Sequence, residues 1–228
     1  MCRLTSTFSP SPHCMPLLAQ EPIGNDGLWG IWSTTETTEE LLRLLTPNGP
    51  DADYLRTVHH PERFHQTLAS RVLVQALLRA LDVPYAGVEK DSAGKPLLVG
   101  CPYYISLSHT EGYAAAILHR RFPVGIDIEL VKEKLTKVAP RVFTEAEREY
   151  AHDNLFKTAV YWCAKEAVFK MGAVQVLSLR DIRLHDFRAE ESGTLFGQIE
   201  QENRPIELEI FYRQMLTFMM AFCIDNRR

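Results

Sequence analysis

Two tripeptides, Gly30-Ile31-Trp32 and Gly125-Ile126-Asp127, stand ninety-five positions apart, and the same offset sets Ala69-Ser70-Arg71 on Ala164-Lys165-Glu166. Each pair falls at the same place in a repeated order of apolar strand, short helix, long helix and closing strands. A chain that repeats its element order at one offset is strongly constrained, because each unit must bury an apolar face that it cannot cover alone. The reading is therefore α+β: two similar halves related by a pseudo-twofold, with a ligand cleft between them. The expected boundaries are a disordered tail at 1–14, a first half at 15–121 and a second half at 122–228, joined at Arg120-Arg121-Phe122-Pro123. The tail is Ser/Pro-rich and without periodicity, and Met15 is an alternative start.

Local signals fill in each half. Leu28–Trp32 reads as a strand, and Ser33, Thr34 and Thr35 are candidate caps for a helix through 38–45. Residues 48–53, Asn-Gly-Pro-Asp-Ala-Asp, read as a loop. Pro61 opens a long helix to Leu81, with Phe64, Leu68, Val72, Ala76 and Leu77 on one side. A Gly-Lys-Pro turn at 94–96 precedes two strands parted by Thr110-Glu111-Gly112. In the second half come a strand at Val124–Leu130, a helix capped by Thr144, and a long helix through Phe156–Met171 ended by Gly172. Closing strands are expected near 178–187, 193–200 and 206–224, the last broken around Gln214.

Composition removes several classes of function. A net charge of −4 gives no general attraction to nucleic acid or to an anionic membrane, so any anionic ligand needs a local basic pocket. Five cysteines without C-x-x-C spacing argue against a disulfide framework and a zinc site, and suit the cytoplasm. The longest apolar run, 215–224, is half the length of a membrane span.

The chemistry sits in two stretches of the second half. In Gly-Ile-Asp-Ile-Glu, 125–129, strand alternation puts Asp127 and Glu129 on one face. Paired like charges need a cation between them, which Arg, Lys or a metal ion could supply; the oxygen donors suit Mg²⁺ or Mn²⁺. In Trp-Cys-Ala-Lys-Glu-Ala-Val-Phe-Lys, 162–170, helical spacing aligns Trp162, Glu166 and Lys170, with Lys165 about 100° away around the axis. A plain amphipathic helix would explain the second stretch alone. Together the two offer three carboxylates (Asp127, Glu129, Glu166) for one ion and two lysines (Lys165, Lys170) for phosphate oxygens, a set suited to phosphoryl transfer.

These stretches, with Gly94-Lys95-Pro96, Ser106-Leu107-Ser108-His109-Thr110 and Phe143-Thr144-Glu145-Ala146-Glu147, resemble the 4'-phosphopantetheinyl transferases, in particular their larger, monomeric, pseudo-dimeric class. The resemblance spans about residues 60–175. It implies transfer of the phosphopantetheine arm of coenzyme A, the co-substrate, to a serine of an acyl or peptidyl carrier protein, with release of 3',5'-ADP. It further implies Mg²⁺ on Asp127, Glu129 and Glu166, Glu166 as base for the serine, and Lys170 at the departing phosphate, with Lys165 beside it on the pyrophosphate. His109 and Ser108 are implied as pyrophosphate contacts. Lys95 and Pro96 would line the adenosine end, where Arg63 and Arg71 are candidates for the 3'-phosphate; Gln66 stands at one equivalent of the family's basic position. Cys163 reads as packing filler.

Two other readings remain at this stage: a coenzyme A-binding protein without transferase activity, and a Mg²⁺-dependent nucleotide hydrolase, though not of the G-x-x-x-x-G-K-[ST] type. An acidic carrier meeting an acidic enzyme needs a local basic patch. The expected one is 131–141, with Lys132, Lys134, Lys137 and Arg141 for charge and Leu135 and Val138 for apolar contact.

Overall fold

The computed structural model describes residues 16–47, 49–172, 178–200 and 205–227, so the expectations for the tail lie outside it. In chain order the elements are β1 (Leu17–Ile23), β2 (Gly27–Ser33), α1 (Thr38–Leu45), α2 (Gly49–Arg56), α3 (Pro61–Ala80), β3 (Val88–Lys90), β4 (Pro96–Leu98), β5 (Tyr104–Thr110) and β6 (Tyr113–His119). They continue with β7 (Val124–Leu130), a 3₁₀ turn (Glu133–Lys137), α4 (Ala139–Val142), α5 (Glu145–Tyr150), α6 (Leu155–Met171), β8 (Ile182–Leu184), β9 (Ser192–Ile199), β10 (Ile206–Met215) and β11 (Phe218–Ile224). Helices and sheets are mixed, as the α+β reading expects. No described helix is long and apolar enough to cross a membrane.

Two antiparallel sheets organise the chain, one of order β1-β2-β6-β5 and one of order β7-β11-β10-β9-β8. Without β1, the first reads β2-β6-β5 and the second begins β7-β11-β10. In each, the strand before the long helix lies beside the last strand, which lies beside the one before it. Helix α3 covers the first sheet through Leu68, Val72, Leu73, Leu77 and Leu78. Helix α6 covers the second through Ala159, Val160, Ala164, Ala167 and Val168. A third apolar cluster joins the sheets, with Trp29, Ile31, Ala115 and Ile117 facing Ile126, Ile128, Phe218 and Met220.

The matched glycines of the two tripeptides have a common physical reason. A Cβ on Gly30 would come 2.8 Å from Leu77 Cδ2 of α3, and one on Gly125 would come 1.9 Å from the Ala167 carbonyl of α6. In each sheet the glycine lets the long helix settle directly on the strand. The helix termini also obey local rules: Thr37 and Thr144 form capping boxes with Glu40 and Glu147, and Gly172 closes α6 in the left-handed region at φ 62°.

Four expectations need correction. The cap of α1 is Thr37 rather than Ser33, Thr34 or Thr35. The 48–53 loop is largely helix, because Gly49-Pro50-Asp51 opens α2 and Asp51 and Leu55 are buried; Pro and an acid in a first turn serve a helix as well as a turn. The expected 178–187 strand shrinks to β8, since Ser178 caps a 3₁₀ turn at Leu179–Asp181 instead. The final break lies at Leu216-Thr217 rather than Gln214, with Met215 paired to Phe218 and Leu216 at φ 48°.

Candidate active site

Strand β5 forms one edge of the first sheet and β7 one edge of the second. Among the described residues no backbone ladder joins them; two serines do. Ser106 Oγ accepts from the Ile126 N–H at 3.1 Å, and Ser108 Oγ accepts from the Ile128 N–H at 3.2 Å. Ser108 also donates to Asp127 Oδ1 at 2.7 Å and accepts from Lys170 Nζ at 3.0 Å. One donor and two acceptor positions are the whole capacity of a hydroxyl. The Ser108 hydroxyl is therefore committed to supporting Asp127, which removes it, though not the backbone N–H, from the phosphate contact expected.

Asp127 stands where the seam meets α6. Burial raises its pKa, opposed by Lys170, whose ammonium lies 2.6 Å from Oδ1, and by the Ser108 hydroxyl. Glu129, two residues on, pairs with Lys134 at 3.0 Å and accepts from Thr110 Oγ1 at 3.3 Å. Glu166 comes from α6, which Gly125 admits against β7. Among the described residues no hydrogen bond or ion pair engages Glu166, and its pKa is raised by burial and then by the charge of Asp127. The three carboxylates, Trp162, His109, Ser108 and Lys170 line one pocket of about 320 Å³. The stripe read from helical spacing, Trp162–Glu166–Lys170, thus faces a single space. Among the described residues, no group of three or more His, Cys, Asp or Glu side chains is placed to hold a metal ion.

A second cleft, of about 550 Å³, adjoins the first, with Leu107, His109 and Lys170 lining both. It is markedly basic: Arg63, Arg71, Lys90, Lys95 and Lys170 line it, with Asp91 the one acid in its wall. Both sheets' long helices contribute, Arg63 and Arg71 from α3 and Lys170 from α6. Lys95, in the turn between β3 and β4, donates to the Met171 carbonyl at the end of α6 and favours the negative end of that helix. Its pKa is lowered by burial. Pro96, Leu107 and Phe169 add apolar wall. The pKa of His109 is lowered by desolvation and then by the charges of Lys170 and Arg63. Sequence reasoning missed Tyr54 and Lys90, which carry no motif and are brought to the cleft by α2 and β3.

Lys165 is a clear correction. It is fully buried and faces away from both pockets, pairing with Glu147 of α5 at 2.9 Å. It also donates to the carbonyls of Leu179, at 3.0 Å, and Ile182. The turn of about 100° that separates it from Glu166 points it into the α6 core instead of the cleft. The proposed docking stretch is also altered. Leu135 is buried in that same core, and Lys132 and Lys134 pair with Glu111 and Glu129. Lys137 and Arg141 remain exposed.

Over residues 123–221, which hold β7, α6 and the three carboxylates, the chain matches the model of the 4'-phosphopantetheinyl transferase superfamily. In that segment the chain is similar to the enzymes of that superfamily. Its similarity to the 4'-phosphopantetheinyl transferase Sfp of Bacillus subtilis (strain 168) is 26% identity over 212 residues, covering 86% of this chain and 91% of the relative. To the 4'-phosphopantetheinyl transferase gsp of Aneurinibacillus migulanus it is 25% over 124 residues, covering 51% of this chain and 52% of the relative.

Proposed function

We propose that the enzyme transfers the 4'-phosphopantetheine arm of coenzyme A to a serine hydroxyl of an acyl or peptidyl carrier protein and releases 3',5'-ADP. The observation that carries this reading is that a basic cleft adjoins a carboxylate pocket, with Leu107, His109 and Lys170 lining both. A substrate with phosphates at one end and a reacting phosphoryl group at the other matches that order of charge. The shared topology of the sheets supports two halves, dividing near residue 122, related by a pseudo-twofold with the cleft between them.

In this reading Arg63, Arg71, Lys90 and Lys95 hold the nucleotide phosphates, with Pro96 against the adenosine. His109 donates a hydrogen bond to a pyrophosphate oxygen. Glu166, whose raised pKa makes it a better base than an ordinary carboxylate, takes the proton of the carrier serine as that oxygen attacks the phosphorus. The P–O bond of the pyrophosphate breaks on the adenosine side, and Lys170 neutralises the charge that grows on the departing 5'-phosphate of 3',5'-ADP. The donor set is of the kind a hard divalent cation takes: three carboxylates line one pocket, and the half-buried Glu166 lies beside Asp127 without a cation of its own. Asp127, Glu129 and Glu166 would hold Mg²⁺ or Mn²⁺, which supplies charge neutralisation at the pyrophosphate. Ser108 serves by fixing Asp127. The enzyme would act as a monomer in the cytoplasm, with Lys137 and Arg141 offering exposed positive charge to an acidic carrier.

Intact-mass measurement of an apo carrier protein incubated with enzyme, coenzyme A and Mg²⁺ tests the proposal. A gain of one phosphopantetheine arm is the expected result. No change, or coenzyme A cleaved with the carrier unmodified, would overturn it in favour of simple binding or hydrolysis.

A further inference from the structure

At the foot of the basic cleft lies a charged group that no step of the reaction uses. Asp51, in the first turn of α2, has no exposed surface. Its carboxylate accepts from Arg71 Nε of α3 at 2.9 Å, from the Tyr85 hydroxyl at 2.6 Å and from the Val88 N–H of β3 at 3.2 Å. Three elements that frame the cleft therefore meet on one side chain. Arg71 is itself almost fully buried, with 3% exposure, yet it lines the cleft. Among the described residues no hydrogen bond engages its two terminal nitrogens. Its guanidinium lies 5.6 Å from the ring centroid of Tyr54, which Lys90 also covers at 4.7 Å while donating to the Tyr54 hydroxyl at 2.9 Å.

A buried Arg–Asp pair is a poor stabiliser compared with apolar residues of the same volume, because desolvation offsets most of its attraction. Its value lies in direction. With Nε fixed from behind by a carboxylate and its face on an aromatic ring, a guanidinium has one orientation left and presents its remaining donors forward. We propose that Asp51 is a positioning residue, which sets Arg71 to receive a phosphate group of the nucleotide at the floor of the cleft. Tyr85 and the Val88 N–H hold Asp51 in turn, so the hairpin carrying Lys90 and Lys95 is registered to the same point. The inference rests on the coenzyme A reading for the identity of the ligand, but its geometric part does not.

The test uses the full-length enzyme and the variants Asp51→Asn, Arg71→Gln and the pair combined. Calorimetric titration with 3',5'-ADP should show binding weakened about tenfold or more in each single variant, as expected for loss of a charge-assisted contact. The double variant should bind no worse than Arg71→Gln alone, because Asp51 acts through Arg71. Losses that multiply, or an Asp51→Asn enzyme that binds like wild type, would overturn the proposal and leave Asp51 a structural tie. A ligand-independent readout is the NMR signal of the Arg71 Nε–H, which should exchange slowly in wild type and fast in Asp51→Asn. If wild type binds neither 3',5'-ADP nor coenzyme A, the substrate reading falls and the positioning claim is decided on that signal. Should Asp51→Asn fail to fold, Tyr85→Phe keeps the carboxylate but removes its shortest donor. It should shift both readouts in the same direction, and no shift would count against the proposal.

Discussion

Replacing Lys165 by Met separates a structural lysine from a catalytic one. The ammonium is fully buried against a Glu147 side chain that is 1% exposed, and it also serves the Leu179 and Ile182 carbonyls. Lys165→Met would leave the Glu147 carboxylate buried with no cation and two carbonyls without that donor. Breaking a buried pair on one side typically costs about 3–5 kcal/mol. At about 2–4 °C per kcal/mol for a domain of this size, the melting temperature should fall by roughly 6–20 °C. Glu147 accepts from the Thr144 and Leu184 N–H groups as well, so adding Glu147→Gln should restore only part of the loss. The assay is thermal unfolding followed by circular dichroism, paired with steady-state transfer measured well below the variant's transition. There the folded variant should keep a KM for coenzyme A close to wild type. A melting temperature within about 2 °C of wild type, which means less than about 1 kcal/mol lost, together with abolished turnover would refute the reasoning and return Lys165 to the cleft.

Other outcomes follow from the same geometry. Asp127→Ala and Glu166→Ala should each lower turnover by on the order of 10²–10³ with the fold retained, since each removes a charge-stabilising group; chelation of divalent cations should abolish transfer and added Mg²⁺ restore it. Unchanged turnover in either variant would undo the assignment of the carboxylate pocket. Gly125→Ala places a Cβ where the Ala167 carbonyl already lies, 1.9 Å away, so soluble yield and melting temperature should both drop sharply. Ser106→Ala strands the buried Ile126 N–H and should cost about 1–3 kcal/mol in chemical unfolding while leaving metal dependence unchanged. Charge reversal at Lys137 and Arg141, both exposed, should raise the KM for the carrier at low salt and leave the KM for coenzyme A alone; an unchanged carrier KM would place docking elsewhere.

The parts of the site that could be read from sequence are those where a short spacing sets geometry. Asp127 and Glu129 follow from strand alternation, and Trp162, Glu166 and Lys170 from helical periodicity, because both periods are properties of the backbone itself. The same rule, applied to neighbours on one helix, misled at Lys165: adjacency in sequence means a large angular separation, and the angle pointed into the core. The Ser-x-Ser block was visible as a motif but not in its role, since the edge N–H groups that commit its hydroxyls belong to a strand some twenty residues on. Asp51 and Lys90 were out of reach for a related reason. The partners of Asp51 are Arg71 of α3, Tyr85 and Val88 of β3, that of Lys90 is Tyr54 of α2, and nothing local in Asn-Gly-Pro-Asp distinguishes a helix start from a turn. Gly30 and Gly125 were legible as a matched pair, and each lies where the long helix comes close to its strand.

The seam between the sheets has a consequence for how such an enzyme can change. A ladder of backbone hydrogen bonds is indifferent to which side chains it carries, so the spacing it sets is hard to adjust by substitution. Here the two sheets are joined across β5 and β7 by serine hydroxyls that meet backbone N–H groups and by an apolar cluster, and both depend on which side chains are present. A single replacement at position 106, or at an apolar residue of the joint, can therefore widen, narrow or tilt the gap without disturbing the pairing within either sheet. The width of the cleft, and with it the size of partner it admits, is in this fold an adjustable quantity rather than a fixed property of the scaffold.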